Sequence, residues 1–436
     1  MKALHVWWDE EHVGELTTQD DVLRFRYASS ASRRISRSLP ISTEWQPGRF
    51  FANLLPDGAL RDALARGFGV SADNDFALLE EVGGDCAGAL TLLLEGEEPK
   101  SLPQGKEALP LSRLKELAAG EAGLVQALAQ GRARLSLAGA QGKIPVILDG
   151  GELWTPVGGT PSTHILKLPS PRLKRISVNE LFMLDVAREL GLPVVEARLW
   201  PVGDENALLV TRFDRENGIR LHQEDFCQAT NRSPKTKYEE EGGPTFGELV
   251  TVIREESAEP AVDVDVALNW LIFNVLCGNA DGHAKNLALV RSGPVRLAPL
   301  YDLVCTRSWD NFGADVAIGV GGQRDPGHID KDHWAKLAKD AGLGIPFVAR
   351  RVEEMIGAAP RAADVIAKKL AGSGVDAAPF DRLTTIVADL CRRAAQLLAA
   401  GSRAAAKNAK GSAAGVTSAP SAKPDIFRRA RPRASR

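Results

Sequence analysis

Apolar residues follow two different periods in the first part of the chain. Three of them occupy every second position near the start: Leu23, Phe25 and Tyr27. This period is typical of a half-buried strand, so residues 4–28 are predicted to form a small sheet. Helical periods follow in residues 51–66 and 75–82, and an apolar run covers residues 89–94. Three prolines in residues 99–110 predict a linker.

The middle of the chain predicts a strand, a helix and another strand. Residues 164–168 form a β-rich run in which Lys167 has apolar neighbours, and a half-buried lysine needs an anionic partner. The pattern of residues 179–190 predicts a helix, and its Glu180 is the candidate partner. A solvent-facing glutamate favoured by the helix dipole is the alternative. Residues 207–215 predict a strand that runs into a charged break.

The second half of the chain is predicted to be mostly helical. An apolar stripe at helical spacing predicts a buried helix over residues 264–277, and Gly278 is suited to end it. Two apolar runs, residues 287–290 and 295–298, flank a Ser-Gly-Pro turn and predict a hairpin. Helical patterns follow in three further stretches: residues 348–356, 362–369 and 380–399.

The loop between that helix and that hairpin carries the most specific chemical pattern. Residues 278–286 read Gly-Asn-Ala-Asp-Gly-His-Ala-Lys-Asn, and Asp302 follows sixteen residues later. Protein kinases place the catalytic Asp five residues before a metal-binding Asn, and Asp281 and Asn286 have this spacing. The predicted hairpin would return Asp302 to the same place. The order therefore indicates phosphoryl transfer.

Three other interpretations of this loop stay open at the sequence level. An Asn- and Asp-rich stretch after a helix can be only a turn. Asp281 and His283 can instead bind a transition metal, although the other histidines are scattered. A metal-dependent phosphohydrolase that uses Asp281, His283 and Asp302 is the third.

A glycine-containing loop between two apolar segments, residues 134–148, has the composition of a phosphate-covering hairpin loop. Small side chains at residues 138–142 would let backbone N–H groups approach phosphates. The loop is not a Walker A motif, because the glycine spacing differs and Ile144 replaces the Ser or Thr that would touch magnesium. A plain β-turn is the alternative.

Length and composition are those of a large folded enzyme. The chain has 436 residues, of which 44% are hydrophobic, so two or three domains are expected. The composition of the first residues predicts no signal peptide, and no apolar run is expected to span a membrane. The five cysteines lack a paired Cys-x-x-Cys spacing, which favours a reduced, cytoplasmic setting.

Charge is distributed unevenly along the chain. The net charge is −2, but residues 401–436 carry +8, which leaves −10 for residues 1–400. The small and polar side chains of this basic tail cannot form a core, so it is predicted to be disordered. Residues 426–429 are a candidate docking element, and a solvated end without function is the alternative.

Together these motifs resemble the HipA family of toxin serine/threonine kinases, over nearly the whole length. The front of the chain takes part through Phe-Phe-Ala-Asn-Leu-Leu-Pro-Asp-Gly at residues 50–58 and Gly-Gly-Asp-Cys-Ala-Gly-Ala-Leu at residues 83–90. Thr211 and Gly142 depart from the family, which often has Glu at both positions.

The resemblance implies a role for each motif residue. Asp281 would be the catalytic base, Asn286 and Asp302 the magnesium ligands, Lys167 the phosphate-binding lysine, and Ser136 the autophosphorylation site. The residues implied to bind ATP are Ala138, Gly139, Ala140, Gln141, Gly142, Lys143, Lys167, Thr211, Arg212, Phe213, His283, Ala284, Lys285, Asn286, Tyr301 and Asp302. Thr211 to Phe213 would contact adenine through their main chain.

The implied fold is α+β: a bilobal, protein-kinase-like fold with an N-terminal β-rich subdomain and a mostly helical C-terminal lobe. The corresponding divisions are an N-terminal subdomain (residues 1–100), the nucleotide-binding part of the N-lobe (101–225), the helical catalytic C-lobe (226–400) and the basic tail (401–436).

The implied activity is that of an ATP- and Mg²⁺-dependent kinase toxin that phosphorylates a protein such as an aminoacyl-tRNA synthetase. The implied partners are a HipB-like helix-turn-helix antitoxin and, through it, operator DNA. An antitoxin-associated, DNA-bound co-repressor with secondary or lost kinase activity is the alternative.

Overall fold

A computed structural model describes residues 2–118, 142–310 and 312–412. The chain opens with a five-stranded antiparallel sheet in the order β4-β3-β2-β1-β5. Its strands are β1 (Leu4–Trp8), β2 (Glu11–Gln19), β3 (Val22–Tyr27), β4 (Gln46–Pro47) and β5 (Leu90–Leu94). Leu23, Phe25 and Tyr27 all point into the core, which confirms the predicted sheet.

The predicted helix over residues 51–66 is wrong as one element. The structure has α1 (Arg49–Ala52), α2 (Gly58–Phe68) and, as predicted, α3 (Asp75–Val82). Pro56 lies between the first two helices; it cannot donate a helical hydrogen bond, and it disfavours helical geometry in the residue before it. The break exposes Asn53 and Asp57 to the cavity described below.

A second antiparallel sheet has six strands in the order β10-β11-β9-β7-β8-β6. Its strands are β6 (Gln104–Ala108), β7 (Lys143–Asp149), β8 (Glu152–Gly158), β9 (His164–Lys167), β10 (Ala197–Val202) and β11 (Glu205–Thr211). The predicted linker over residues 99–110 is therefore wrong in part. The prolines of this stretch flank β6. Because β6 is an exposed edge strand, it lacks the apolar alternation by which a strand is predicted from the sequence.

Two helices accompany this sheet, α4 (Leu111–Ala118) and α5 (Ile176–Glu189). The predicted helix over residues 179–190 is confirmed, with one more turn at its start. A small hairpin follows, β12 (Arg215–Glu216) and β13 (Ile219–Arg220). The predicted hairpin is also confirmed as β15 (Ala288–Arg291) and β16 (Val295–Leu297), and β14 (His222–Asp225) pairs with β15.

The second lobe consists mainly of helices: α6 (Phe226–Ala229), α7 (Phe246–Glu256), α8 (Pro260–Cys277), α9 (Lys331–Asp340), α10 (Ile345–Gly372) and α11 (Phe380–Ser412). The two helices predicted over residues 348–356 and 362–369 are one, because α10 continues through Pro360. Its buried stripe runs unbroken from Val352 to Ile366 across the proline. Tertiary packing therefore outweighs the local cost of the missing hydrogen bond.

Two large apolar clusters and a small one around Ala288, Val290 and Ala298 form the interior of the described part of the chain. The two large clusters differ in the elements that they join. One combines the front sheet with the second sheet, and the other joins α5 to the helices of the second lobe. Helix α8 is long and apolar enough to cross a membrane, contrary to the expectation from its sequence, but 67% of it is buried in the protein core. Helix α11 extends past the predicted boundary at residue 401, and residues 413–436 lie outside the described part.

Candidate functional site

A cavity of about 790 Å³ lies where the second sheet, the helical lobe and the front of the chain meet. Its wall includes most of the predicted site residues that the structure describes: Gly142, Lys143, Lys167, Thr211, Arg212, Phe213, Asp281, His283, Lys285, Asn286, Tyr301 and Asp302. Ala284 is buried beside the cavity. Ser136, Ala138, Gly139, Ala140 and Gln141 lie outside the described residues, so their roles stay predictions.

The loop that carries Asp281 is held by its own polar side chains. Helix α8 ends at Gly278, whose φ of +67° suits glycine. The Asn279 side chain then donates to the Asn274 side chain at 2.9 Å and accepts from the Asp281 N–H at 3.0 Å. The Asn286 Nδ2 donates to the Asp281 carbonyl at 2.8 Å and closes the loop. The spacing of five residues therefore brings Asp281 and Asn286 into direct contact.

The Asp281 carboxyl faces the cavity with half of its side-chain surface open. Its Oδ1 accepts a 2.5 Å hydrogen bond from the Tyr238 hydroxyl and lies 3.6 Å from His283 Nε2. Removal from bulk water raises the pKa of Asp281, and the hydrogen bond from Tyr238 opposes this. A carboxylate with a raised pKa in a cleft is suited to accept a proton.

Lys167, which also lines the cavity, lies between two carboxylates. Its Nζ donates to Glu180 Oε1 at 2.6 Å and to Asp302 Oδ1, so the predicted pair with Glu180 forms. Burial would raise the pKa of Asp302, but the ammonium groups of Lys167 and Lys143 outweigh burial and lower it well below its usual value. For Lys167 the directions are reversed: burial by itself would lower its pKa, but the Asp302 and Glu180 carboxylates outweigh burial and raise it. Both groups are therefore charged.

A second lysine stands beside Lys167. Lys143 on β7 is paired in register with Lys167 on β9, and both side chains are buried at the cavity wall. Burial lowers the pKa of Lys143, while Asp302 counteracts the effect. Two adjacent buried ammonium groups are an unfavourable arrangement unless anionic groups face them. Glu180 and Asp302 provide such groups here, and both lysines also line the cavity, where they can act as donors to a ligand.

The end of β11 has one main-chain donor available to a ligand. The Thr211 and Arg212 N–H groups donate to Glu196 O at 2.8 Å and Thr163 O at 3.1 Å. Within the part of the chain that the structure describes, the Phe213 N–H has no acceptor. Thr211 to Phe213 are all predicted to contact adenine through their main chain. Of their three N–H groups, the one of Phe213 is left to make such a contact.

The Arg212 side chain belongs to a buried charge cluster. It donates to Asp214 at 2.9 and 2.8 Å and to the Ser162 hydroxyl at 2.9 Å, and it lies 3.5 Å from Asp85. Asp85 follows the Gly-Gly pair at residues 83 and 84 on the front of the chain. The cluster thus joins the segment that carries Phe213 to residues 4–94, which contain the first sheet and are called the front domain below.

Tyr301 and Lys285 support the floor of the site. The Tyr301 ring stacks on Phe213 with centroids 5.6 Å apart, and its hydroxyl donates to the Lys285 carbonyl at 2.8 Å. The Lys285 Nζ donates to the Asn53 carbonyl at 3.0 Å. The loop of residues 278–286 therefore contacts the front of the chain directly, which the sequence pattern did not predict.

The cavity wall also contains residues to which the sequence analysis gave no role, among them Asn53, Asp57, Lys237 and Tyr238. Asn53 and Asp57 belong to the Asn-Leu-Leu-Pro-Asp run that carried the family resemblance, and this run could have indicated them. Lys237 and Tyr238 lie in a charged stretch that has no hydrophobic periodicity, and their contacts depend on the path of a loop. Lys237 Nζ forms an ion pair with Asp57 Oδ2 at 3.1 Å.

The transition-metal interpretation gains no support from this geometry. Across residues 2–118, 142–310 and 312–412, no group of three or more His, Cys, Asp or Glu side chains is arranged to hold a metal ion. Burial and the charges of Lys237 and Lys285 lower the pKa of His283 well below its usual value. Its imidazole is therefore neutral, and its Nδ1 has no hydrogen-bond partner in the described residues.

Comparison with known proteins identifies the family of this chain. The family model of the HipA-like C-terminal domain matches residues 135–363, and that of the HipA N-terminal domain matches residues 4–93. The chain belongs to the HipA family. Protein Y4mE of Sinorhizobium fredii is 38% identical to it over 415 residues, which cover 89% of this chain and 97% of Y4mE.

This chain is also similar to a HipA protein with a named activity and to a HipA protein of solved structure. The serine/threonine-protein kinase toxin HipA of Shewanella oneidensis is 30% identical over 364 residues, which cover 74% of this chain and 80% of that protein. A Shewanella oneidensis structure of HipA, HipB and its operator DNA matches with a TM-score of 0.76 and 24% identity, over 90% of this chain and 98% of that chain. This likeness confirms the predicted α+β, kinase-like HipA fold.

Proposed function

We propose that this HipA-family protein is an ATP- and Mg²⁺-dependent serine/threonine-protein kinase and the toxin of a toxin–antitoxin system. The observation that carries the proposal is that Asp281, Asn286 and Asp302 line one cavity together with the Lys167–Glu180 pair, and that Lys167 also contacts Asp302. Each group has a counterpart in the machinery of kinases: a base, two metal ligands and a paired lysine. Kinship with a serine/threonine-protein kinase toxin supports the same assignment.

The residues of the cavity fit a magnesium–nucleotide complex. Asn286 would hold Mg²⁺ through its amide oxygen, since its Nδ2 is occupied by the Asp281 carbonyl, and Asp302 would hold it through a carboxylate that stays ionised. Lys143 and Lys167 would face the phosphates. The Phe213 N–H would hold adenine. Bound Mg²⁺ neutralises phosphate charge and orients the transferred group.

Asp281 is the residue of this chain proposed to receive the proton of the acceptor hydroxyl. Its carboxyl opens to the cavity, and its loop is closed by Asn279 and Asn286, so its position is set before the acceptor arrives. Such preorganisation lowers the barrier because no loop has to be ordered during the reaction. Lys167 stays charged at neutral pH and would contribute electrostatic stabilisation of the phosphoryl group.

The partners we propose follow from kinship. The similar Shewanella oneidensis structure contains HipA, HipB and operator DNA, so we propose that a HipB-like antitoxin and its operator are partners here as well. We also propose a cytoplasmic protein acceptor, such as an aminoacyl-tRNA synthetase, whose modification would stop translation. The five cysteines are all buried and form no disulfide bonds, which suits a reducing compartment.

Incubation of the purified chain with γ-labelled ATP and Mg²⁺ tests the activity. We expect label on protein, and we expect Asp281→Asn to reduce its rate by roughly 10²- to 10⁴-fold, the usual range for a positioned base, with folding and ATP binding retained. Asp310→Asn is the matched control, because that carboxylate is exposed and pairs with Arg382 at the surface. Label released as free phosphate would indicate a hydrolase, and unlabelled protein would favour the co-repressor alternative.

The partner proposal has its own test. Mobility shifts of operator DNA by the antitoxin, with the full chain and with a chain lacking residues 413–436, would be compared over a series of salt concentrations. This basic segment should add phosphate contacts, so we expect its removal to flatten the salt dependence while phosphoryl transfer is unchanged. Equal slopes would show that the segment does not touch DNA.

A further inference from the structure

We infer that Tyr238 is a positioning residue for Asp281: its hydroxyl holds one oxygen of the carboxylate so that the other faces the acceptor. The inference rests on the proposed function of Asp281 as the base. It concerns a segment, residues 233–243, that none of the predicted motifs contains.

The contact is direct and involves only one carboxylate oxygen. The Tyr238 hydroxyl donates to Asp281 Oδ1 at 2.5 Å, the same oxygen that lies 3.6 Å from His283 Nε2. Within the described residues Oδ2 receives no hydrogen bond, and half of the Asp281 side chain is open to the cavity. A hydrogen bond to Oδ1 restricts rotation of the carboxyl group, so Oδ2 is presented in a constant direction.

Tyr238 is itself fixed on both sides along the chain. The carbonyl of Lys237 accepts from the Ala284 N–H in the catalytic loop at 3.4 Å, and the Glu239 N–H donates to the Ala317 carbonyl at 3.1 Å. The Tyr238 ring packs edge-on against His283, with centroids 5.2 Å apart at 85°. The hydroxyl therefore has little freedom to follow a moving carboxylate, and the carboxylate must adapt to it.

The front domain reaches this arrangement through one ion pair. Asp57 Oδ2 contacts Lys237 Nζ at 3.1 Å with both side chains largely buried. Burial and the negative charge of Asp281 raise the pKa of Tyr238, so the phenol keeps its proton and is the donor. Asp57, Lys237, Tyr238 and Asp281 thus form a continuous chain from the front domain to the base.

The test compares Tyr238→Phe with the wild type in self-phosphorylation, with protein-bound label measured against ATP concentration at saturating Mg²⁺. Loss of the hydroxyl should lower the maximal rate about 10- to 100-fold, the size of effect expected when a reacting group is misplaced. The ATP concentration at half-maximal rate should stay within about twofold, because Tyr238 does not belong to the proposed nucleotide contacts.

Tyr27→Phe is the matched control. Tyr27 is buried in the front sheet, and its hydroxyl donates to the Leu39 carbonyl at 2.8 Å and accepts from the Ile35 N–H at 3.0 Å. Its loss should lower the thermal midpoint and leave the maximal rate at the wild-type value. A Tyr238→Phe variant that loses only stability, as this control does, would overturn the inference.

Two further results would contradict the positioning role. Wild-type rate in Tyr238→Phe, together with an inactive Asp281→Asn, would show that the base needs no support from the phenol while the proposed function stands. Phosphate on Tyr238 itself, found by mass spectrometry of the wild type, would show that this hydroxyl is an acceptor. A wild type without phosphoryl transfer would instead remove the proposed function, and the inference with it.

Discussion

Asp302 has an uncommon backbone conformation at the centre of the site. Its φ is +54°, in the left-handed region that residues with a side chain rarely occupy. Such a conformation costs on the order of 1–3 kcal/mol and persists only where the surroundings enforce it. Here the carboxylate is tied to Lys167, which is itself tied to Glu180. The backbone conformation of Asp302 therefore places this proposed metal ligand beside Lys167 and Lys143, the lysines proposed to bind phosphate.

Asp302→Asn should weaken nucleotide binding only when magnesium is present. The substitution keeps the shape of the side chain but removes the charge that would hold the metal against the phosphates. We expect the Kd for ATP to rise at least about tenfold with Mg²⁺, and to stay unchanged or fall in EDTA, because a negative charge near the phosphates is lost. Titration calorimetry in both buffers measures this, and an equal loss in both would argue against the metal role.

At the scale of elements, the end of β11 is attached to the front domain by buried charges. Arg212 and Arg215 lie between Asp85 on the front domain and Asp214 after the strand, with all four side chains almost fully buried. Burial would raise the pKa of Asp85, but the guanidinium groups outweigh it and lower that pKa. The cluster holds the backbone on which the Phe213 N–H is presented.

Asp85→Asn should destabilise the protein and loosen the proposed adenine contact. Removal of one member of a buried ion cluster leaves its partners uncompensated, at a cost of roughly 3–5 kcal/mol. Urea unfolding measures the loss, and ATP binding should weaken in the variant while it is still folded. The matched control is Asp310→Asn, whose exposed pair with Arg382 should contribute no more than about 1 kcal/mol. Similar losses in both variants would contradict this account of the cluster.

At the scale of the whole molecule, His222 lies at the junction between the front domain and the helical lobe. It belongs to β14, yet its Nε2 is 2.6 Å from the Ile35 carbonyl and its ring lies 4.3 Å from that of Trp8. Nδ1 is buried without a partner in the described residues, so a second proton there would find no acceptor. Burial lowers the pKa of His222 to about 4.

The junction should therefore weaken as the pH falls. Because the folded pKa lies below the unfolded value of about 6.5, the unfolded chain takes up the proton first, and the stability present above pH ~6.5 declines until about pH 4. Between pH 7.5 and 5.0 this contribution should reduce the free energy of unfolding by about 2 kcal/mol.

Denaturant titrations of the wild type and His222→Gln at both pH values measure this contribution. The variant should lose about 2 kcal/mol less than the wild type over that interval. His328→Gln, which removes an exposed imidazole, should behave as the wild type does. Equal losses in the wild type and His222→Gln would refute the assignment.

The sequence alone determined the features that depend on neighbouring residues. Alternation placed Phe25 inward on a strand, an apolar stripe and Gly278 defined the end of α8, and a spacing of five residues joined Asp281 to Asn286. These are local because side-chain direction in strands and helices, and the closure of a short polar loop, are set within a few residues. The family resemblance then implied functional roles for individual residues, which hydrophobic periodicity alone cannot indicate.

Only the tertiary structure decided the contacts between distant segments. Tyr238 meets Asp281 across 43 residues, and Lys285 meets Asn53 across 232. Helix α10 continues through Pro360 because its buried face is long enough to offset one lost hydrogen bond. Such outcomes depend on burial summed over many residues and on the paths of loops without a period, so the front domain's part in the site became visible only in the fold.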